Sequence, residues 1–172
     1  MVYFSGFCFQ NEQILFKNFL LKNDFTVAGF SYGAIRAFEY ALKNRHRIDT
    51  LQLFSPAFFQ DKSESFKKLQ LLAFQKNNNK YLKNFYKNVL YPYDFDISNF
   101  KLKGDIKDLD KLLHYEWDKE KLDIILRRRI KIEIYLGKLD KIINAEKAKD
   151  FFIPYGTVYW LNKYGHILNN GE

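Results

Sequence analysis

The pentapeptide Gly29-Phe30-Ser31-Tyr32-Gly33 constrains this chain more than any other stretch. It follows the apolar run Phe25-Thr26-Val27-Ala28 and precedes Ala34-Ile35-Arg36-Ala37-Phe38-Glu39-Tyr40-Ala41-Leu42, which reads as a helix. A serine on a sharp turn between a strand and a helix is a nucleophile elbow. Such a turn is strained and its two backbones run close together, so glycines on either side of the serine avoid clashes. The plainer reading is a tight turn whose serine only caps the helix.

Short apolar runs alternate with helical segments along the chain, the pattern of a parallel α/β layer fold. Residues 2–4, 25–30, 50–54, 129–136 and 157–161 read as strands, and residues 11–22, 32–44 and 144–152 as helices. The alternation breaks at residues 57–128, where no sheet strand is expected. There, 63–76, 80–89, 105–117 and 119–128 read as helices, so the block is a candidate lid inserted after the third strand. The chain shows no repeat and no low-complexity linker, and its 172 residues fit one domain.

Hydrophobic residues make up 47% and charged residues 28%, an ordinary globular mix with a high aromatic share of 19%. Cys8 is the sole cysteine, which excludes an intrachain disulfide and a cysteine-rich metal site. No motif asks for a metal or a cofactor. No apolar stretch approaches the about 20 residues of a membrane span, and the apolar start lacks the basic segment of a secretory signal. A cytoplasmic, monomeric protein is expected. The net charge of +8 suits either plain solubility or an acidic partner. No nucleic-acid-binding signature accompanies the charge.

A serine nucleophile needs a base to take its proton and an acid to orient that base. The chain has three histidines. His46 lies at a basic helix end and His114 in a helix of the insert, where surface or packing roles are expected. His166 follows the fifth strand in Asn162-Lys163-Tyr164-Gly165-His166, at the sheet edge where open α/β sheets place their sites. Asp140, in Gly137-Lys138-Leu139-Asp140 after the fourth strand, is the expected acid; Glu146 and Asp150 fall in the next helix. The order Ser31, Asp140, His166 is that of α/β-hydrolases. The expected oxyanion donors are the backbone N–H of Tyr32 and that of Phe7, in the loop after the first strand.

These segments together resemble the methyl ester esterases of biotin synthesis that act on pimeloyl-acyl carrier protein. The stretch Ser5 to Glu12 is similar to that family's early His-Gly-Trp segment, with Ser5 in place of His and Phe7 in place of Trp. Gly29 to Ala34 matches the elbow. Leu53-Phe54-Ser55-Pro56-Ala57-Phe58 resembles the segment leading into the lid, and Leu136 to Asp140 and Gly165-His166 match the acid and base loops. The resemblance implies a trimmed α/β-hydrolase fold of about five parallel strands flanked by helices, without the usual first strands and one intervening strand. It also implies the triad Ser31, Asp140 and His166, and an acyl carrier protein as partner. Lys62, Lys67, Lys68, Lys76, Lys80, Lys83 and Lys87 face a single acid, Glu64, in residues 62–87. All but Lys62 are expected to dock the carrier, although solvated helix faces would look the same. The run Arg127-Arg128-Arg129 is expected at the sheet edge opposite Ser31. Another carboxylesterase or a thioesterase on the same triad, an inactive binding protein of this fold, and a nucleic-acid-binding module are the alternatives.

Overall fold

In the computed structural model, which describes residues 1–171, five parallel strands form one sheet in chain order. They are β1 (Val2–Phe4), β2 (Thr26–Phe30), β3 (Thr50–Phe54), β4 (Lys131–Gly137) and β5 (Thr157–Leu161). β2 and β3 are buried along their whole length, the burial expected of apolar runs inside a parallel sheet. Phe30, Phe54, Tyr135 and Tyr159 are level across β2 to β5. The loops that leave these strands therefore gather at one edge. β4 starts two residues later than expected, because Arg129 turns through a left-handed conformation at φ 59°.

The two faces of the sheet are covered differently. On one, Val27, Leu51, Leu53, Ile132 and Ile134 form a core with α1 (Tyr32–Lys43) and α6 (Ala145–Phe152). Ala34, Phe38 and Ala41 of α1 and Ala148 and Phe152 of α6 supply the buried stripes. On the other, Phe30, Phe54 and Tyr135 meet Phe16, Leu20, Ile167 and Leu168. Ring stacking runs across that face, from Phe16 on Phe54 at 4.8 Å to Tyr135 on Tyr159 at 4.5 Å.

Between β3 and β4 lie α2 (Glu64–Lys76), α3 (Asn78–Leu90), α4 (Ile106–Leu113) and α5 (Lys119–Arg127). Their starts are fixed by side-chain caps from Ser63, Asn77, Asp105 and Asp118. α4 stops at Leu113, short of the expected 117, with His114 as its C-cap. Trp117 instead turns inward, where its indole N–H donates to the Ala57 carbonyl at 2.9 Å.

The expected helix over 11–22 is the clearest departure. A single 3-10 helix, Glu12–Phe16, occupies this stretch, and the chain beyond it is irregular. Long-range polar contacts replace the helical ladder. The Gln52 amide donates to the Phe19 carbonyl at 3.0 Å and its oxygen accepts the Leu21 N–H at 2.9 Å. Asn169 captures the Leu15 carbonyl at 2.6 Å. Among the described residues, no helix is long and apolar enough to cross a membrane.

Candidate active site

β2 ends at Phe30 and α1 begins at Tyr32, so Ser31 alone makes the turn. Its backbone is strained, at φ 54° and ψ −114°. The surroundings hold it there. The Ser31 N–H donates to the Phe54 carbonyl at 2.8 Å, and the Ser31 carbonyl accepts from Ala34 and Ala57 at 3.0 and 3.2 Å. A Cβ on Gly29 would land on the Gly33 carbonyl, and one on Gly33 on the Phe4 carbonyl. Both glycines are therefore sterically required. The Ser31 side chain makes no capping hydrogen bond, which removes the reading of a serine that only caps the helix.

The hydroxyl instead meets His166. Ser31 Oγ lies 2.9 Å from His166 Nε2, and His166 Nδ1 lies 2.7 Å from Asp140 Oδ2. The His166 and Asp140 side chains are fully buried. A carboxylate can only accept, so Nδ1 carries the proton and donates to Asp140, leaving Nε2 to accept the Ser31 hydroxyl. Asp140 is itself oriented, because its Oδ1 accepts the Ile142 and Ile143 N–H groups at 2.7 and 3.1 Å. The two loops are tied together by Leu139 N–H donating to the Tyr164 carbonyl at 2.9 Å and Lys138 N–H to the Leu161 carbonyl at 3.0 Å.

Ser55, fully buried and left-handed at φ 41°, has a part that sequence reasoning missed. Its hydroxyl donates to the His166 carbonyl at 2.7 Å, holding the base from behind. In the sequence Ser55 stands in a Ser-Pro pair that reads as a strand stop and in the segment resembling the entry to the lid, and neither signal points to His166. Tyr32 is a second such case, its hydroxyl donating to Asp108 of α4 at 3.3 Å.

Of the two backbone amides expected to hold an oxyanion, that of Tyr32 follows Ser31 directly in the chain. Tyr32 opens α1, where the first N–H groups have no intrahelical partner and the helix dipole favours negative charge. The end of β1 abuts the start of α1 at Gly33, which brings the loop of Gly6 and Phe7 alongside. Phe7 and Ser31 line the same cavity of about 370 Å³, within the range of ligand sites. Its walls are mainly apolar, with Phe59, Phe66, Phe85, Leu109 and Leu113 among them, and Gln70, Asn84 and Asn88 add polar points. A second cavity of about 390 Å³ shares Ala73, Tyr81 and Asn84 with it and reaches Lys76 and Lys80. Burial, with a smaller push from Cys8, raises the Tyr81 hydroxyl to about 12, so that side chain stays protonated between the two cavities.

The lysines expected to dock a carrier divide. Lys68, Lys76, Lys80, Lys83 and Lys87 are exposed on α2 and α3. Lys67 is buried and its ammonium donates to Glu64 at 2.8 Å, so it presents no free charge to a partner. Arg128 caps the end of α1 by donating to the Leu42 and Asn44 carbonyls at 3.3 and 2.7 Å, at the far edge from Ser31, as expected of the arginine run. His46 is exposed, and His114 pairs with Asp110 and Glu64 on the surface.

No protein-family profile and no curated protein matches the chain by sequence. Solved structures do match its fold. An esterase from Exiguobacterium antarcticum aligns with a TM-score of 0.65 at 16% identity, over 82% of this chain and 59% of that one. MenH from S. aureus aligns at 0.53 and 18% identity, over 90% and 65%. An E-2-(acetamidomethylene)succinate hydrolase aligns at 0.57 and 12% identity, over 99% of this chain and 85% of its own. The chain thus has a compact α/β-hydrolase fold, and it spans 59% of the length of the Exiguobacterium esterase.

Proposed function

We propose that the protein is a serine carboxylesterase that hydrolyses the methyl ester of pimeloyl-acyl carrier protein, releasing methanol, in biotin synthesis. The observation that carries the esterase reading is His166 bonded to both Ser31 and Asp140, with Ser31 opening on a mainly apolar cavity. Ser31 Oγ attacks the ester carbonyl while His166 Nε2 takes its proton. Asp140 holds the ring and stabilises the imidazolium. The Phe7 and Tyr32 N–H groups stabilise the oxyanion. His166 returns the proton to the departing methanol, and water, activated by the same base, frees the acid and Ser31.

The substrate assignment rests on the resemblance in the elbow, acid and base segments. Two further features support it. The cavity suits an apolar chain, and a second cavity beside it, sharing Ala73, Tyr81 and Asn84, is lined by Lys76 and Lys80. The helices α2 and α3 act as a lid whose exposed lysines meet an acidic carrier. The test compares the methyl ester and the thioester of matched acyl chains, each free and carrier-bound. Preference for the carrier-bound methyl ester is expected. Preference for thioesters would transfer the same triad to a thioesterase.

A further inference from the structure

Glu12 is an acid that the mechanism above does not use. Its side chain is fully buried at the start of the 3-10 helix behind the loop of Gly6 and Phe7. Burying a carboxyl costs several kcal/mol unless hydrogen bonds replace the lost water. Here the replacement is incomplete. Oε1 accepts the Gly6 N–H at 2.9 Å and the Tyr3 hydroxyl at 3.1 Å, while Oε2 is buried without a partner. Packing alone would be served better by an apolar side chain of this size.

The contact holds the Ser5–Gly6 peptide plane, the one before the peptide that carries the Phe7 N–H. The Gly6 N–H is held by Glu12, and the Gly6 carbonyl accepts the Phe9 N–H at 3.1 Å. That carbonyl shares its peptide plane with the Phe7 N–H, which in a trans peptide points the opposite way. Restraining Gly6 on both sides therefore sets the direction of the Phe7 amide. The Tyr3 hydroxyl steadies the acceptor, since burial and the nearby Glu12 keep it protonated and donating. Glycine is the residue least able to hold such a plane unaided.

We infer that Glu12 is a positioning residue, which aims the Phe7 N–H at the oxyanion by anchoring Gly6. The inference rests on the esterase reading proposed above. It predicts a defect confined to the step in which negative charge appears.

The test uses the whole protein with Glu12→Leu, which removes the acceptor, and Glu12→Gln, which keeps Oε1. The readouts are hydrolysis of p-nitrophenyl acetate and inhibition by a trifluoromethyl ketone, which forms an oxyanion on the serine. For Glu12→Leu, kcat should fall about 10- to 100-fold, less than or comparable to loss of a whole oxyanion donor. KM should stay within about threefold, and ketone affinity should weaken in step with kcat. Glu12→Gln should return both to within about fivefold of wild type. If Glu12→Leu does not fold, Glu12→Asp, which withdraws the acceptor by one methylene, takes its place with the same expectations. An unchanged kcat, a ketone affinity that does not follow kcat, or a glutamine variant as impaired as the leucine one would overturn the inference. Wild-type turnover that vanishes in Ser31→Ala establishes the esterase reading separately, so failure of the Glu12 series against an active wild type sinks this inference alone.

Discussion

Ser31, His166 and Asp140 form a relay of two short hydrogen bonds, and each link predicts its own defect. Asp140→Asn preserves an acceptor for Ile142 and Ile143 but can turn an amide N–H towards His166 Nδ1. The ring then takes the wrong tautomer, and kcat should fall by about 10⁴ with little change in folding. Ester turnover and a thermal melt check both parts; near-normal kcat would show that Asp140 does not set the tautomer. Ser55→Ala leaves the buried His166 carbonyl without its 2.7 Å donor. It should cost about 1–3 kcal/mol in urea unfolding and lower kcat severalfold. The triad was legible because each member follows its own strand within a few residues. The supports were not. Ser55 reaches His166 across 111 positions and Gln52 reaches Leu21 across 31, and no local periodicity encodes such contacts.

Among the elements, the strands were read well because parallel burial forces continuous apolar runs. The stretch 11–22 misled for a physical reason. Its apolar spacing fits a helix, yet Ile14 is 60% exposed, and tertiary acceptors and donors hold the carbonyls of Leu15 and Phe19 and the Leu21 N–H. Helical spacing is a weak guide where long-range partners outcompete the local ladder. The block between β3 and β4 was recognisable as helices, and α2, α3 and α4 line the cavity that Ser31 opens on. Ala73 borders both that cavity and the second one. If a long acyl chain runs from the first cavity to the second, Ala73→Trp should block it, lowering kcat/KM for an octanoyl ester at least about tenfold while an acetyl ester stays within about twofold. Parallel losses on both esters would place the chain elsewhere.

At the scale of the whole molecule, charge and pH act on different properties. The exposed lysines of α2 and α3 sit on a chain of net charge +8. Raising salt from about 50 to about 300 mM should depress kcat/KM for a carrier-bound ester and spare a small neutral ester. Equal salt profiles would remove the acidic carrier. Stability should fall in alkali through Cys8, whose thiol burial pushes up from 9.0 to about 12, with a smaller contribution from Asp108. The unfolded chain releases this proton near 9 and the folded chain near 12, so folding is progressively disfavoured as pH climbs through that window. Urea midpoints of wild type should therefore drop relative to Cys8→Ala between these pH values, and parallel curves would contradict the assignment. The central claim is that Ser31 is a nucleophile activated by His166. Reaction with a fluorophosphonate, mapped by peptide mass spectrometry, tests it most directly. The account predicts one phosphonyl adduct on Ser31, absent in Ser31→Ala and strongly slowed in His166→Ala; a wild-type protein that leaves Ser31 unmodified would contradict it.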